Sequence, residues 1–151
     1  VTPLPARLHA AYRRTAYEAS GATARIGRRS AAVEALLRRM GSRQGGFVTA
    51  WNPLSRRMPR GWNERMLARL REAARRLPRA EGWGRGEGWA ERHLLIAADP
   101  RRIAVLARRF RQRAIVVLCR ARPPRLVPVC AEETRAGRAG APASPQGISM
   151  P

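Results

Sequence analysis

The chain has 151 residues, enough for one domain with its own core and short for two. Its 31 basic residues are all arginine, against nine Glu and one Asp, so the net charge is +21 while 44% of residues remain hydrophobic. No apolar run approaches the roughly 20 residues of a membrane span, the absence of lysine rules out a P-loop, and a single aspartate rules out an aspartate dyad.

The four charges beyond residue 131 cancel, so the whole excess belongs to the preceding chain. Such a field draws in polyanions. Arginine without lysine, beside abundant Ala, Gly and Pro, is equally what a GC-rich genome writes at tolerant surface positions, and both readings stay open. The start, Val1–Arg7, lacks a basic segment followed by an apolar block, so no secretory signal is read and the expected location is the cytoplasm.

Leu4, Leu8, Ala11 and Tyr12 share one face of a short helix that begins near Pro5. Residues 15–19 and 22–27, separated by Ser20-Gly21, predict a hairpin. Ser30 caps a helix whose Val33, Leu36, Leu37 and Met40 form its apolar stripe and whose end is marked by Gly41. Residues 46–51 predict a central strand buried on both faces, stopped by Asn52-Pro53. A second helix starts at Pro59 and carries Trp62, Met66, Leu70, Ala73 and Leu77 as its apolar face until Pro78, which makes Trp62 a core residue.

Residues 79–90, rich in glycine, read as a loop or irregular hairpin that exposes Trp83 and Trp89. Residues 92–98 predict a strand, and Asp99-Pro100 starts a helix with Ile103, Leu106, Ala107 and Phe110 inside. Residues 114–119 and 126–130 predict two antiparallel strands joined at Pro123-Pro124. From residue 131 onward Gly, Ala, Pro and Ser predict a disordered tail. The fold class is α+β, a single domain over 1–130 with a mixed sheet and three to four helices packed on it.

Few residues suit familiar chemistry. Cys119 and Cys130, each in a strand-like stretch, read as buried free thiols, and His9 reads as a solvated surface histidine. His93 has no visible partners at metal-ligand spacing, so neither metal nor cofactor is expected. Polar residues do gather at strand ends and helix starts: Thr49, Asn52, Ser55, Asn63 and Glu91. Such places collect ligands because free amide donors converge there. Glu91 and His93 would serve as acid and base if buried together. Turn formation, backbone satisfaction and pairing with arginine explain the same residues without any ligand.

For nucleic acid, arginines would neutralise phosphate while aromatics stack on bases. Arg56, Arg57, Trp83, Arg85, Trp89, Arg111 and Arg113 are the candidates. Arginine pairs occur in every element, which suits sequence-independent contact better than base readout.

The run Phe47-Val-Thr-Ala-Trp-Asn-Pro53, then Ser55, Asn63 heading a helix, Trp89-Ala-Glu91 before an apolar strand, and residues 107–116 around Gln112 resemble the bacterial domain-of-unknown-function family 3293. Tyr12 and Tyr17 fit as well, so the resemblance spans roughly residues 10–129. It implies one domain and adds Gln112 to the candidates, but it carries no activity. The family resembled usually has Gln-Asn-Ala at this point, often after glycine, where this chain has Arg111-Gln112-Arg113-Ala114. Two main readings follow: a small anionic ligand held in a pocket lined by the Thr49–Pro53 motif, or RNA held by an arginine-rich surface. The first requires Asn52, Asn63, Glu91 and Gln112 to converge on one concavity.

Overall fold

The computed structural model describes residues 3–129. The tail and Cys130 lie outside the described residues. The elements in chain order are α1 (Ala6–Arg14), β1 (Ala16–Ala19), β2 (Ala22–Ala24), α2 (Ala31–Arg39), β3 (Gln44–Val48), α3 (Arg60–Ala73), β4 (Arg79–Gly86), β5 (Trp89–Ile96), α4 (Pro100–Arg109), β6 (Ala114–Cys119) and β7 (Arg125–Pro128).

Local chemistry accounts for the helix ends. The Ser30 hydroxyl accepts from the Val33 amide, and the Asp99 carboxylate from the Arg101 amide, each satisfying one of the free donors of a first turn. Gly41 follows α2 with φ +75°, where a glycine meets no side-chain penalty. Arginines occupy the last turns of α2 and α4, where the helix dipole favours them.

The seven strands form one sheet in the order β2-β1-β4-β5-β3-β6-β7, and every pairing is antiparallel. The class is α+β, as expected, but the sheet is not mixed. The cause is β4, a regular strand in the stretch whose composition reads as a loop or irregular hairpin: its hairpin with β5 reverses the chain after α3, so β5 returns antiparallel to β3. Three connections join strands that are not neighbours: β2 to β3 through α2, β3 to β4 through α3, and β5 to β6 through α4, so that β3 lies between β5 and β6.

The sheet divides the core in two. One face packs Leu94, Ile96, Ile115 and Val117 against Leu67, Leu70 and Ala74 of α3 and Ile103 and Ala107 of α4. The other packs Tyr17, Phe47, Leu95, Val116 and Leu118 against Val33, Leu36 and Leu37 of α2. Strand alternation delivers this directly, since successive side chains take opposite faces. β3 is buried along Gly45–Val48, as a strand covered on both sides must be.

Other expectations shift in detail. The strand expected over 46–51 runs two to three residues earlier, because β3 leaves the ladder after Val48. α3 ends at Ala73, and its deepest face is Asn63, Leu67, Leu70 and Ala74, so Trp62 is half-buried rather than core. Cys119 is free but only half-buried, and His9 is exposed.

The glycines that disguised β4 have structural causes. Gly82, Gly84 and Gly86 stand opposite His93, Glu91 and Trp89 on β5, so the small residues alternate along one face beneath three large ones. At Gly82 an added Cβ would overlap the Glu18 carbonyl of β1. Gly82→Ala is therefore expected to destabilise by about 1–3 kcal/mol through forced strand separation. The urea unfolding midpoint measures this; an unchanged midpoint would mean that β1 does not approach β4 so closely.

Candidate functional site: a cavity beside the open edge of β5

β5 pairs with β4 from Trp89 to Ile96 but with β3 only from Leu94 to Ile96. The N-terminal half of β5 thus has no β3 neighbour, and the segment following β3 folds over that edge. The Thr49 hydroxyl donates to the Arg92 carbonyl at 2.6 Å and accepts from the Trp51 amide at 3.1 Å. Gln112, 5% exposed, donates through Nε2 to the carbonyls of Trp51 and Phe110.

Asn52 is the joint of the segment. Its φ of +46° lies in the left-handed region, which asparagine tolerates better than most residues. Its backbone N–H donates to Asn63 Oδ1 at 3.0 Å, and Asn63 Nδ2 donates back to Asn52 Oδ1 at 3.0 Å. Asn52 Oδ1 also accepts from the Met58 amide at 2.9 Å, while Asn52 Nδ2 donates to Glu91 Oε1 at 2.8 Å. Three parts of the fold are thereby tied together: the segment after β3, the first turn of α3, and β5.

Leu54 and Ser55 follow with φ of +51° and +61°, conformations that cost on the order of 1 kcal/mol each for residues with a Cβ. The strained turn is clipped from outside by the Leu54 amide donating to the Arg111 carbonyl and by Arg113 Nε donating to the Leu54 carbonyl. Arg111 itself has φ +56°, just past the end of α4, where the resembled family often has glycine. The two arginines that depart from that pattern thus brace the turn.

These elements enclose a cavity of about 740 Å3, within the range of small-molecule sites. Asn52, Ser55, Asn63, Glu91 and Gln112 all line it. Thr49 does not; it stands behind the wall, holding the segment to β5. Among the nucleic-acid candidates, Arg57, Trp83 and Trp89 line the same cavity, whereas Arg56 is exposed outside its lining. Trp83 is half-buried rather than loop-exposed, with its ring edge-on to Trp51 and the guanidinium groups of Arg85 and Arg92 at 5.5 and 5.0 Å from its centroid. Trp89 is 40% exposed.

Arg60, not singled out from sequence, also lines the cavity. A signal for it existed: Arg60 and Asn63 are three apart in the first turn of α3 and share a face. The charged lining is then Arg57, Arg60 and Glu91. Burial holds the Glu91 carboxyl above the usual carboxylate range, with the hydrogen bond from Asn52 acting in the opposite direction. With Arg57 and Arg60 against one carboxyl, the lining is net positive whichever form Glu91 takes.

Glu91 and His93 are on one face of β5, as their spacing dictates. His93 Nε2 donates to the Glu18 carbonyl at 2.6 Å, and its ring lies against Tyr17 and Phe47. It lines a second space of about 50 Å3, not the main cavity. No helix of the described residues is long and apolar enough to cross a membrane, and no group of three or more His, Cys, Asp or Glu among them is placed to hold a metal.

Two measurements probe this construction. Asn63→Asp would set an oxygen against Asn52 Oδ1 and the Met58 carbonyl in place of the donor, with an expected loss of about 1–3 kcal/mol in urea unfolding; an unchanged stability would contradict the amide pairing. His93 titrates at about 4 in the fold, pushed down from 6.5 by burial. Its depressed value means that stability is intact above pH 6.5 and declines as pH falls towards 4, by on the order of 3 kcal/mol. His93→Gln should flatten this part of the pH profile of unfolding, and a parallel profile would show that His93 is not the group responsible.

No curated protein and no solved structure matches the chain. The family model described as protein of unknown function (DUF3293) matches residues 48–115, a narrower span than 10–129, running from the last residue of β3 into β6. Every polar residue named above as lining the cavity falls inside it, and over residues 48–115 the chain resembles that family.

Proposed function

We propose that the chain binds a small anionic ligand in the cavity beside β5. The observation that carries this reading is convergence. Asn52, Ser55, Asn63, Glu91 and Gln112 come from separate parts of the chain and meet on one cavity, whose other charged residues are Arg57 and Arg60. Burial raises the Glu91 carboxyl, which lessens its repulsion of an anion on the acid side.

The sign of the pH effect follows. Because burial raises the Glu91 carboxyl, anion binding is strongest at mildly acid pH and weakens as Glu91 ionises on raising the pH; Glu91→Gln should remove that dependence. Thermal-shift screening with small phosphorylated and carboxylated compounds finds the ligand. Isothermal titration with Arg57→Ala and Arg60→Ala should then show a loss of fivefold or more, while Arg56→Ala, outside the lining, changes little. Equal losses in all three would assign the effect to the general field of a +21 chain instead.

The second reading, sequence-independent RNA binding, draws on that charge and on the exposure of Trp89. Retention of single-stranded RNA at physiological salt, lost on Trp89→Ala, would favour it. Release at moderate salt would leave only polyanion trapping.

A further inference from the structure

The chain is poor in aromatic residues, with four Trp, two Tyr and two Phe. Three of those four tryptophans, Trp51, Trp83 and Trp89, line the cavity together with Tyr12. Trp51 and Trp83 also belong to the core on the α3 and α4 side of the sheet, so packing accounts for them; Trp89 belongs to neither core.

The placements of the rings differ. Trp51 is buried and meets Trp83 edge-on, and Trp83 in turn has two guanidinium groups over it. These two rings form wall. Trp89 is different. The Nε1–Cζ2 side of its indole rests where a Cβ of Gly86, its cross-strand partner, would stand, so glycine is what allows the ring to lie against the strand. The residue is nevertheless 40% exposed and lines the cavity. An indole seated against a glycine and still 40% exposed at a cavity has ring surface left on which a planar group can stack.

Resting on the anion-site reading, we propose that the ligand is a planar aromatic ring bearing a phosphate or carboxylate group, stacked on Trp89 with its anionic end towards Arg57 and Arg60. Trp89, Arg57 and Arg60 line one cavity of about 740 Å3, so ring and anion each account for only part of the affinity.

Adenosine monophosphate, adenosine and ribose 5-phosphate separate the two contributions, and 2-naphthoate tests whether carboxylate serves in place of phosphate. Titration of the full chain should show adenosine monophosphate or 2-naphthoate binding tenfold or more tighter than either adenosine or ribose 5-phosphate. Trp89→Ala should lower that affinity about tenfold and leave ribose 5-phosphate unaffected. Gly86→Ala, which displaces the indole without removing it, should act in the same direction, with circular dichroism confirming that the sheet is intact. Ribose 5-phosphate binding as tightly as adenosine monophosphate would overturn the aromatic assignment and leave the anion site standing. Adenosine binding as tightly as adenosine monophosphate would overturn the anion site and this proposal with it. Millimolar concentrations of all four without effect would overturn both.

Discussion

The reciprocal bonding of two asparagine side chains is the constraint on which the rest of the site depends. Asn63 is almost wholly buried in the first turn of α3, where a free amide would be costly, and Asn52 is the residue that turns the chain out of the sheet. Each side chain satisfies the other, and the bonds left over reach Met58 and Glu91. Neither residue suffices alone. An asparagine at 52 favours the left-handed turn, but only Asn63 fixes the direction in which the turn points. The pair ties the segment after β3 to α3 and, through Glu91, to β5, in place of the ladder that a continued β3 would have made with Trp89–His93.

The second determinant is the glycine alternation of β4. A strand with glycine at every second position has little intrinsic preference for extended structure. Its stability is borrowed from neighbours: β1 closes on Gly82, His93 and Tyr17 pack over Gly84, and the Trp89 ring covers Gly86. The same vacancies that weaken the strand make room for the three β5 side chains on that face. Glu91 is thus supported from behind by a glycine-lined surface and from in front by Asn52, which is how a carboxyl comes to be buried at the wall of a cavity.

Much of this was legible in the chain before the structure. Helices α2 and α4 follow from Ser30, Gly41 and Asp99-Pro100, because caps and apolar period agree there. Asn52, Asn63, Glu91 and Gln112 could be picked out in the chain as polar residues at element ends and in the resembled motifs, and they line one cavity. What could not be read was β4, since Gly82, Gly84 and Gly86 resemble a loop until their cross-strand partners are known. The antiparallel order went with it. Trp62 misled for a related reason: α3 has apolar residues on more than one side, and the deep position at that level belongs to Asn63, whose polarity hid its burial. Arg60 escaped because one exposed arginine among 31 carries no mark of its surroundings.

That abundance of arginine gives Glu91 its meaning. Among the described residues Glu34 pairs with Arg29, Glu72 with Arg75, Glu81 with Arg71 and Arg92, and Asp99 with Arg101. These are surface pairs of small individual worth. Glu91 instead receives the side-chain amide of Asn52 and is buried enough to resist ionisation. Burial raises the Glu91 carboxyl, and Arg57 and Arg60 line the cavity that it faces. Its position follows from a specific arrangement of β5, α3 and the turn at Asn52. The dispersed arginine coat is explicable by composition; the bond between Glu91 and Asn52 at the cavity wall is the local departure from it on which the proposed anion site rests.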